Sequence, residues 1–203
     1  MLAAVSLALV AAVDLATLLK GVESRYNRAR TMQMQFEQTQ SGQGQISRTE
    51  AGDLTLQKPG RMRWNYTRPA GKFFLTDGKF AYYYSPNTRQ VSRSKIKEAD
   101  DLRAPLAFLI GQLDFYRDFK EFRTTPEGVN TYISATPKSP RAPYTQVDFL
   151  VTPDSRIEML KVTGQDGSIM RYRLSGEKSN PALPPSTFEF VKPEGAELID
   201  EDQ

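Results

Sequence analysis

Gly52-Asp53-Leu54-Thr55-Leu56-Gln57-Lys58-Pro59-Gly60-Arg61-Met62-Arg63-Trp64-Asn65-Tyr66 reads as two strands and the turn between them. Leu54 and Leu56 alternate with Asp53, Thr55 and Gln57, and Met62, Trp64 and Tyr66 alternate with Arg61, Arg63 and Asn65. A period of two places alternate side chains on one side of a pleated strand, so each half has one apolar and one polar face. Lys58-Pro59-Gly60 supplies a preset φ followed by a residue that tolerates positive φ, the chemistry of a tight turn.

The pattern continues outward. Upstream, Met32, Met34 and Phe36 alternate with Gln33, Gln35 and Glu37. Downstream, strand signals run over Phe73–Thr76, Phe80–Tyr84 and Arg89–Ser94, and Asp77-Gly78 is the clearest hairpin turn in the chain. They resume at Phe119–Thr125, Val129–Ala135, Tyr144–Thr152, Ile157–Thr163, Ile169–Leu174 and Thr187–Val191. About eleven antiparallel strands in one domain must curl or close, because open twisted sheets rarely exceed about ten strands. The expected fold is mainly β, an antiparallel sheet curled or closed into a barrel.

Two helices interrupt the strands. Asp14 caps a segment whose apolar Leu15, Leu18, Leu19, Val22 and Tyr26 form one stripe, a helix of about four turns with a face to bury. Between Pro105 and Gly111, Leu106-Ala107-Phe108-Leu109-Ile110 is a short helix, apolar all round. It lacks a solvent face, so something must cover both its sides.

Composition narrows the function. The 203 residues include 13 Gly and 13 Pro but no His and no Cys. The usual near-neutral proton shuttle, thiol nucleophiles, disulfides, thiolate zinc sites and a lipid-modified N-terminal cysteine are excluded. Carboxylate chemistry survives, but each candidate has a structural explanation. Asp53 opens a strand, Asp77 belongs to a turn, Asp100 and Asp101 sit at a helix start, and Asp148 alternates outward. The expected protein is not an enzyme and has no cofactor or metal. Residues 1–100 carry 15 basic and 8 acidic side chains, a formal +7, whereas residues 101–203 carry 12 and 16, a formal −4. The basic half is either an ordinary solvated surface or an attraction for an acidic partner or anionic lipid headgroups. There is no basic stripe interleaved with exposed aromatics, so nucleic acid is not an expected partner.

Residues 2–13 contain Ser6 as their only polar side chain, and Val10-Ala11-Ala12 offers small residues for cleavage. Twelve helical residues rise about 18 Å, short of a bilayer core of about 30 Å. We read residues 1–12 as an export signal remnant, an ordinary buried helix being the alternative, and residues 13–203 as a single domain outside the cytoplasm.

The inward set of strand side chains is large, flexible and aromatic, and admits either a packed core or a hydrophobic cavity. Met32, Met34 and Met62 add polarizable side chains suited to repacking around a guest. A barrel open at one end would let the 105–110 helix serve as its plug.

The 52–66 run resembles outer-membrane lipoprotein carriers of the LolA type: a Gly, an alternating strand, a basic-Pro turn, then a strand carrying Trp. Leu75-Thr76-Asp77-Gly78-Lys79, Tyr84-Ser85-Pro86, Phe36-Glu37-Gln38, Ala104–Gly111, Phe188-Glu189-Phe190 and Pro193-Glu194-Gly195 extend the resemblance over most of the chain. It implies an incomplete, unclosed antiparallel β-barrel covered by an α-helical lid, a cavity for acyl chains and the role of a periplasmic carrier. Its cavity would be lined by Tyr26, Met34, Phe36, Leu54, Leu56, Met62, Trp64, Phe73, Leu75 and Tyr82, under a lid bearing Leu106, Phe108, Leu109 and Ile110. The implied partners are acylated lipoproteins, an ATP-driven release complex of the inner membrane, and an outer-membrane acceptor lipoprotein or anionic membrane surface. The carrier is expected to be monomeric. That acceptor needs an N-terminal Cys, which this chain lacks. Where the family usually has an Arg that bonds lid-helix carbonyls and holds the lid shut, this chain has Lys58, a compact charge without the bidentate fork; the resemblance implies that Lys58 is the lid latch, an ordinary exposed strand-end lysine being the alternative. The alternative on the same scaffold is a carrier of another lipid or amphiphile.

Overall fold

A computed structural model of the chain describes residues 14–42, 47–96 and 112–201. The export segment and the 105–110 helix with Leu106, Phe108, Leu109 and Ile110 lie outside the described residues.

Helix α1 (Leu15–Arg28) starts at Asp14, whose side chain accepts the Thr17 N–H at 3.1 Å, and buries Leu18, Leu19, Val22 and Tyr26. Two groups of antiparallel strands follow. The first comprises β1 (Thr31–Ser41), β2 (Arg48–Gln57), β3 (Arg61–Arg68), β4 (Ala70–Asp77), β5 (Phe80–Ser85) and β6 (Gln90–Lys95). After a single helical turn, α2 (Phe115–Asp118), come β7 (Phe119–Glu127), β8 (Asn130–Pro137), β9 (Tyr144–Val151), β10 (Ile157–Gly164) and β11 (Ile169–Ser179). The spatial order β6-β5-β4-β3-β2-β1-β11-β10-β9-β8-β7 makes two meanders joined where β1 pairs with β11. The long sheet does not close: among the described residues, one edge of β7 pairs with no other strand.

The strand expected over Thr187–Val191 is not formed. Pro181, Pro184, Pro185 and Pro193 lack the N–H groups that a ladder requires. Pro185–Phe188 instead makes one 3-10 turn closed by local bonds, Thr187 N–H to the Pro184 carbonyl and Glu189 N–H to the Ser186 carbonyl, both 3.0 Å. The twelfth strand lies further on, in the acidic tail. This β12 (Glu197–Asp200) runs parallel to β6 and forms the other sheet edge. Arg93 and Asp200 pair across that junction, with Nε to Oδ1 at 2.9 Å. The acidic C-terminal segment thus docks on the basic N-terminal half.

The sheet carries cores on both faces. Its inner face, with α1 packed on it, holds the larger one. The outer face is covered near β4–β6 by residues 183–196, which bury Leu75, Tyr82 and Val91 beneath Phe188 and Ala196.

Candidate functional site

The inner face is assembled by register. Met34 stands opposite Leu54, Leu54 opposite Trp64, and Trp64 opposite Phe74. Directly opposed residues in antiparallel strands share a face, so these four form one row. The next row is Met32, Leu56, Met62 and Thr76. In the third, Phe36 and Tyr66 flank Gly52, where a Cβ would lie 2.1 Å from the Asn65 carbonyl oxygen. Only glycine permits that approach between β2 and β3.

Of the sequence-identified lining residues, Tyr26, Met34, Phe36, Leu54, Leu56, Met62 and Trp64 are brought together here, all buried. Phe73, Leu75 and Tyr82 are not. Because Trp64 opposes Phe74, the pleat turns Phe73 and Leu75 to the outer face, where Leu75 opposes Tyr82. They belong to the second core, and Phe74 and Tyr83 take the inner positions instead. The run Phe73-Phe74-Leu75 is apolar on both faces, so alternation alone does not say which side is inward. Residues missed on the inner face include Tyr172 and Leu174, fully or nearly buried on β11. Their alternation with Arg171 and Arg173 was the available signal.

The surface is aromatic and soft. Phe36 meets Trp64 edge-on with ring centroids 4.6 Å apart, and Tyr66 at 5.1 Å. Trp64 is wholly buried, and its indole N–H donates to the Met62 sulfur at 3.1 Å. A thioether is a weak acceptor, so this bond holds the ring without fixing it strongly. At one end Lys72 lies 4.2 Å from the Tyr66 ring centroid and pairs with Glu50 at 2.6 Å, a polar rim on an apolar face.

Helix α1 is tied down at its C-terminal end. The Tyr26 hydroxyl donates to Glu177 at 2.8 Å and accepts the Ile157 N–H at 2.9 Å, while Arg25 pairs with the same carboxylate at 2.7 Å. Burial, then the neighbouring Glu177 charge, pushes the Tyr26 phenol far above its usual range. Asn27 exchanges two bonds with the backbone of Leu113, and Glu23 accepts the Phe115 N–H. Lys58 completes the anchor. Its ammonium donates to the Tyr26 carbonyl at 2.8 Å, one of the last-turn carbonyls that a helix leaves unpaired. Burial lowers the Lys58 pKa. The helix that Lys58 holds is therefore α1.

Asp148 keeps the outward direction that alternation gives it. It is completely buried there, bonded by Gln146 at 2.7 Å, by Lys161 at 2.9 Å and by Ser134. Burial alone would raise its pKa; the bonds from Lys161, Ser134 and Gln146 outweigh it and hold the carboxyl below its usual range. A depressed folded-state pKa contributes stability above the unfolded value of about 3.9 and loses it as pH falls through the folded value. Asp148→Asn is expected to flatten part of the stability loss below about pH 4. Urea midpoints measured from about pH 6 down to about pH 2.5 check this; parallel curves for both proteins would contradict it. Among the described residues no group of His, Cys, Asp or Glu could hold a metal ion, and no helix is long and apolar enough to cross a membrane.

This architecture has relatives. The family model for outer membrane lipoprotein carrier protein LolA matches residues 27–191. The chain is 30% identical to the outer-membrane lipoprotein carrier protein of Bordetella avium over 81% of its own length and 78% of the relative's. It is 27% identical to that of Nitrosospira multiformis, covering 92% and 90% of the two chains. Among solved structures, an uncharacterized conserved protein from Thermus thermophilus shares the fold, with a TM-score of 0.54 at 12% identity over 91% of this chain and 98% of that one. Family match, relatives and the unclosed sheet agree: the chain belongs to the outer membrane lipoprotein carrier (LolA) family.

Proposed function

We propose that this protein is a periplasmic carrier that shelters lipoprotein acyl chains against the inner face of its sheet and ferries them from the inner to the outer membrane. The observation that carries the reading is the face itself: a continuous buried surface of Met, Phe, Trp and Tyr on a sheet that does not close. Burying a methylene contributes about 0.8 kcal/mol, so one 16-carbon chain gains roughly 12 kcal/mol when fully sheltered. No chemistry is required, only an apolar surface whose own side chains exchange for the cargo's.

In the empty carrier, Leu106, Phe108, Leu109 and Ile110 shield that face, and they swing aside when acyl chains enter. Lys58 holds the end of α1 by a single bond. The release complex of the inner membrane loads the carrier, and an outer-membrane acceptor or an anionic membrane surface unloads it. Lys58 in place of the family arginine supports a second reading, a carrier of a different lipid or amphiphile on the same scaffold.

Mass spectrometry of molecules extracted from the protein purified from its own host separates the two: diacylated or triacylated peptides are expected on the first reading, a non-peptide lipid on the second. In parallel, a fluorescent apolar probe bound to the protein should be displaced by a synthetic acylated peptide, with a change in Trp64 emission. Lys58→Ala should speed probe release several-fold by freeing the Tyr26 carbonyl. Failure of the probe to bind at all, with no lipid in the extract, would sink both readings.

A further inference from the structure

The outer face carries a feature that the carrier function does not use. Between the β2–β3 turn, the β4–β5 turn and the 185–190 segment lies an open groove of about 1070 Å3. One wall is cationic. Arg61 stands opposite Asp77 in register, with its Nε 4.0 Å from where a Cβ on Gly78 would sit, so the guanidinium hangs over the turn that carries Lys79. Both side chains line the groove and are exposed, and neither forms an ion pair or hydrogen bond among the described residues. Lys58 also borders the groove, but its ammonium is committed to the Tyr26 carbonyl of α1.

The acids do not cancel this wall. Asp77 accepts the N–H groups of Lys79 and Phe80 at 2.7 and 2.8 Å, besides the Tyr82 hydroxyl. Its carboxylate is engaged within its own turn. Glu189, on the opposite wall, is the one carboxylate in the groove without a partner among the described residues. The rest of that wall is flat and apolar: Phe190 stacks on Tyr82 with centroids 4.1 Å apart and planes within 8°, beside Phe188 and Pro185. Unpaired cations are strongly hydrated and cost little in water, but facing an aromatic wall they form a site with two chemistries. A guanidinium fork and an ammonium group fit the several oxygens of a phosphate ester, and the stacked rings fit an apolar body attached to it.

We propose that this groove is a second ligand site, outside the barrel, for a phosphate-bearing amphiphile. Arg61 and Lys79 take the phosphate oxygens, and the Tyr82–Phe190 stack supports the apolar portion. The site is separated from the inner face by the sheet itself, so it stands whether or not the inner face carries lipoproteins.

The test uses the full chain and three probes: dihexanoyl phosphatidylglycerol below its micelle concentration, glycerol 3-phosphate and inorganic phosphate. Backbone amide shifts are followed by NMR. The lipid is expected to shift Lys79, Tyr82, Phe188 and Phe190, and the two phosphates without acyl chains to bind at the same cationic wall at least tenfold more weakly. Arg61→Glu with Lys79→Glu should weaken the lipid at least tenfold, and Arg61→Gln with Lys79→Gln by less. Both are exposed positions, and unchanged thermal unfolding checks that the variants remain folded. Shifts confined to Trp64 and Phe36, affinity untouched by charge reversal, or inorganic phosphate binding as tightly as the lipid would each overturn the proposal. Trp64 emission with an acylated peptide, measured on the same variants, reports the inner face separately.

Discussion

Trp64→Ala is expected to cost about 3–5 kcal/mol of unfolding free energy and to create a void that binds small apolar molecules. Trp64 has no exposed surface and fills the junction between the two meanders, touching Phe36 on β1 and lying 5.7 Å, centroid to centroid, from Tyr172 on β11. Its removal deletes the largest side chain of the inner face. The lost indole bond leaves only the Met62 sulfur unpaired, a weak acceptor, so the cost is one of packing rather than of an orphaned polar group. Urea unfolding measures the loss, and a titration with a small apolar probe measures the void. A loss below about 1 kcal/mol would mean that the neighbouring methionines already collapse into the space. That result would favour a face that repacks freely.

The second large effect concerns the anchor of α1. Glu177→Ala removes the acceptor shared by Arg25 and Tyr26, and is expected to destabilise by about 2–4 kcal/mol. The Glu177 side chain is only 7% exposed, so its two bonds are made largely out of water. Without it the buried Tyr26 hydroxyl still accepts the Ile157 N–H but has nothing to donate to. Glu177→Gln keeps an acceptor in place and should recover about half of the loss. Amide hydrogen exchange distinguishes a local from a global effect. Leu19 to Tyr26 are expected to lose protection well before the β8–β9 pair does. A uniform loss along the chain would show that α1 is part of the general core instead of a separately tethered element.

The cost of misreading a face was small for the fold and large for the site. β1 and the β2–β3 hairpin were legible because Met32-Met34-Phe36, Leu54-Leu56 and Met62-Trp64-Tyr66 alternate with polar residues, leaving one possible inward set. β4 and β5 were not. Phe73-Phe74-Leu75 and Tyr82-Tyr83-Tyr84 are apolar or aromatic at every position, and both of their faces are in fact covered. The unexpected cover is the proline-rich 183–196 segment, whose docking depends on contacts between parts of the chain far apart in sequence. Asp148 was hidden for the same kind of reason: its outward direction follows from alternation, but its burial depends on Lys161 and Ser134 on the two flanking strands.

From the amino-acid order alone came the strand-rich class, the capped amphipathic helix, most of the turns and the family resemblance. Each of these is written in neighbours a few residues apart, where backbone sterics and solvent contrast act directly. Tertiary structure decided the inward set on β4 and β5, the tail as a parallel edge strand, the carbonyl that Lys58 holds and the meeting of Arg61 with Lys79 beside a stacked aromatic pair. Those depend on cross-strand register and on which surface a distant segment covers, and a single strand's periodicity carries neither.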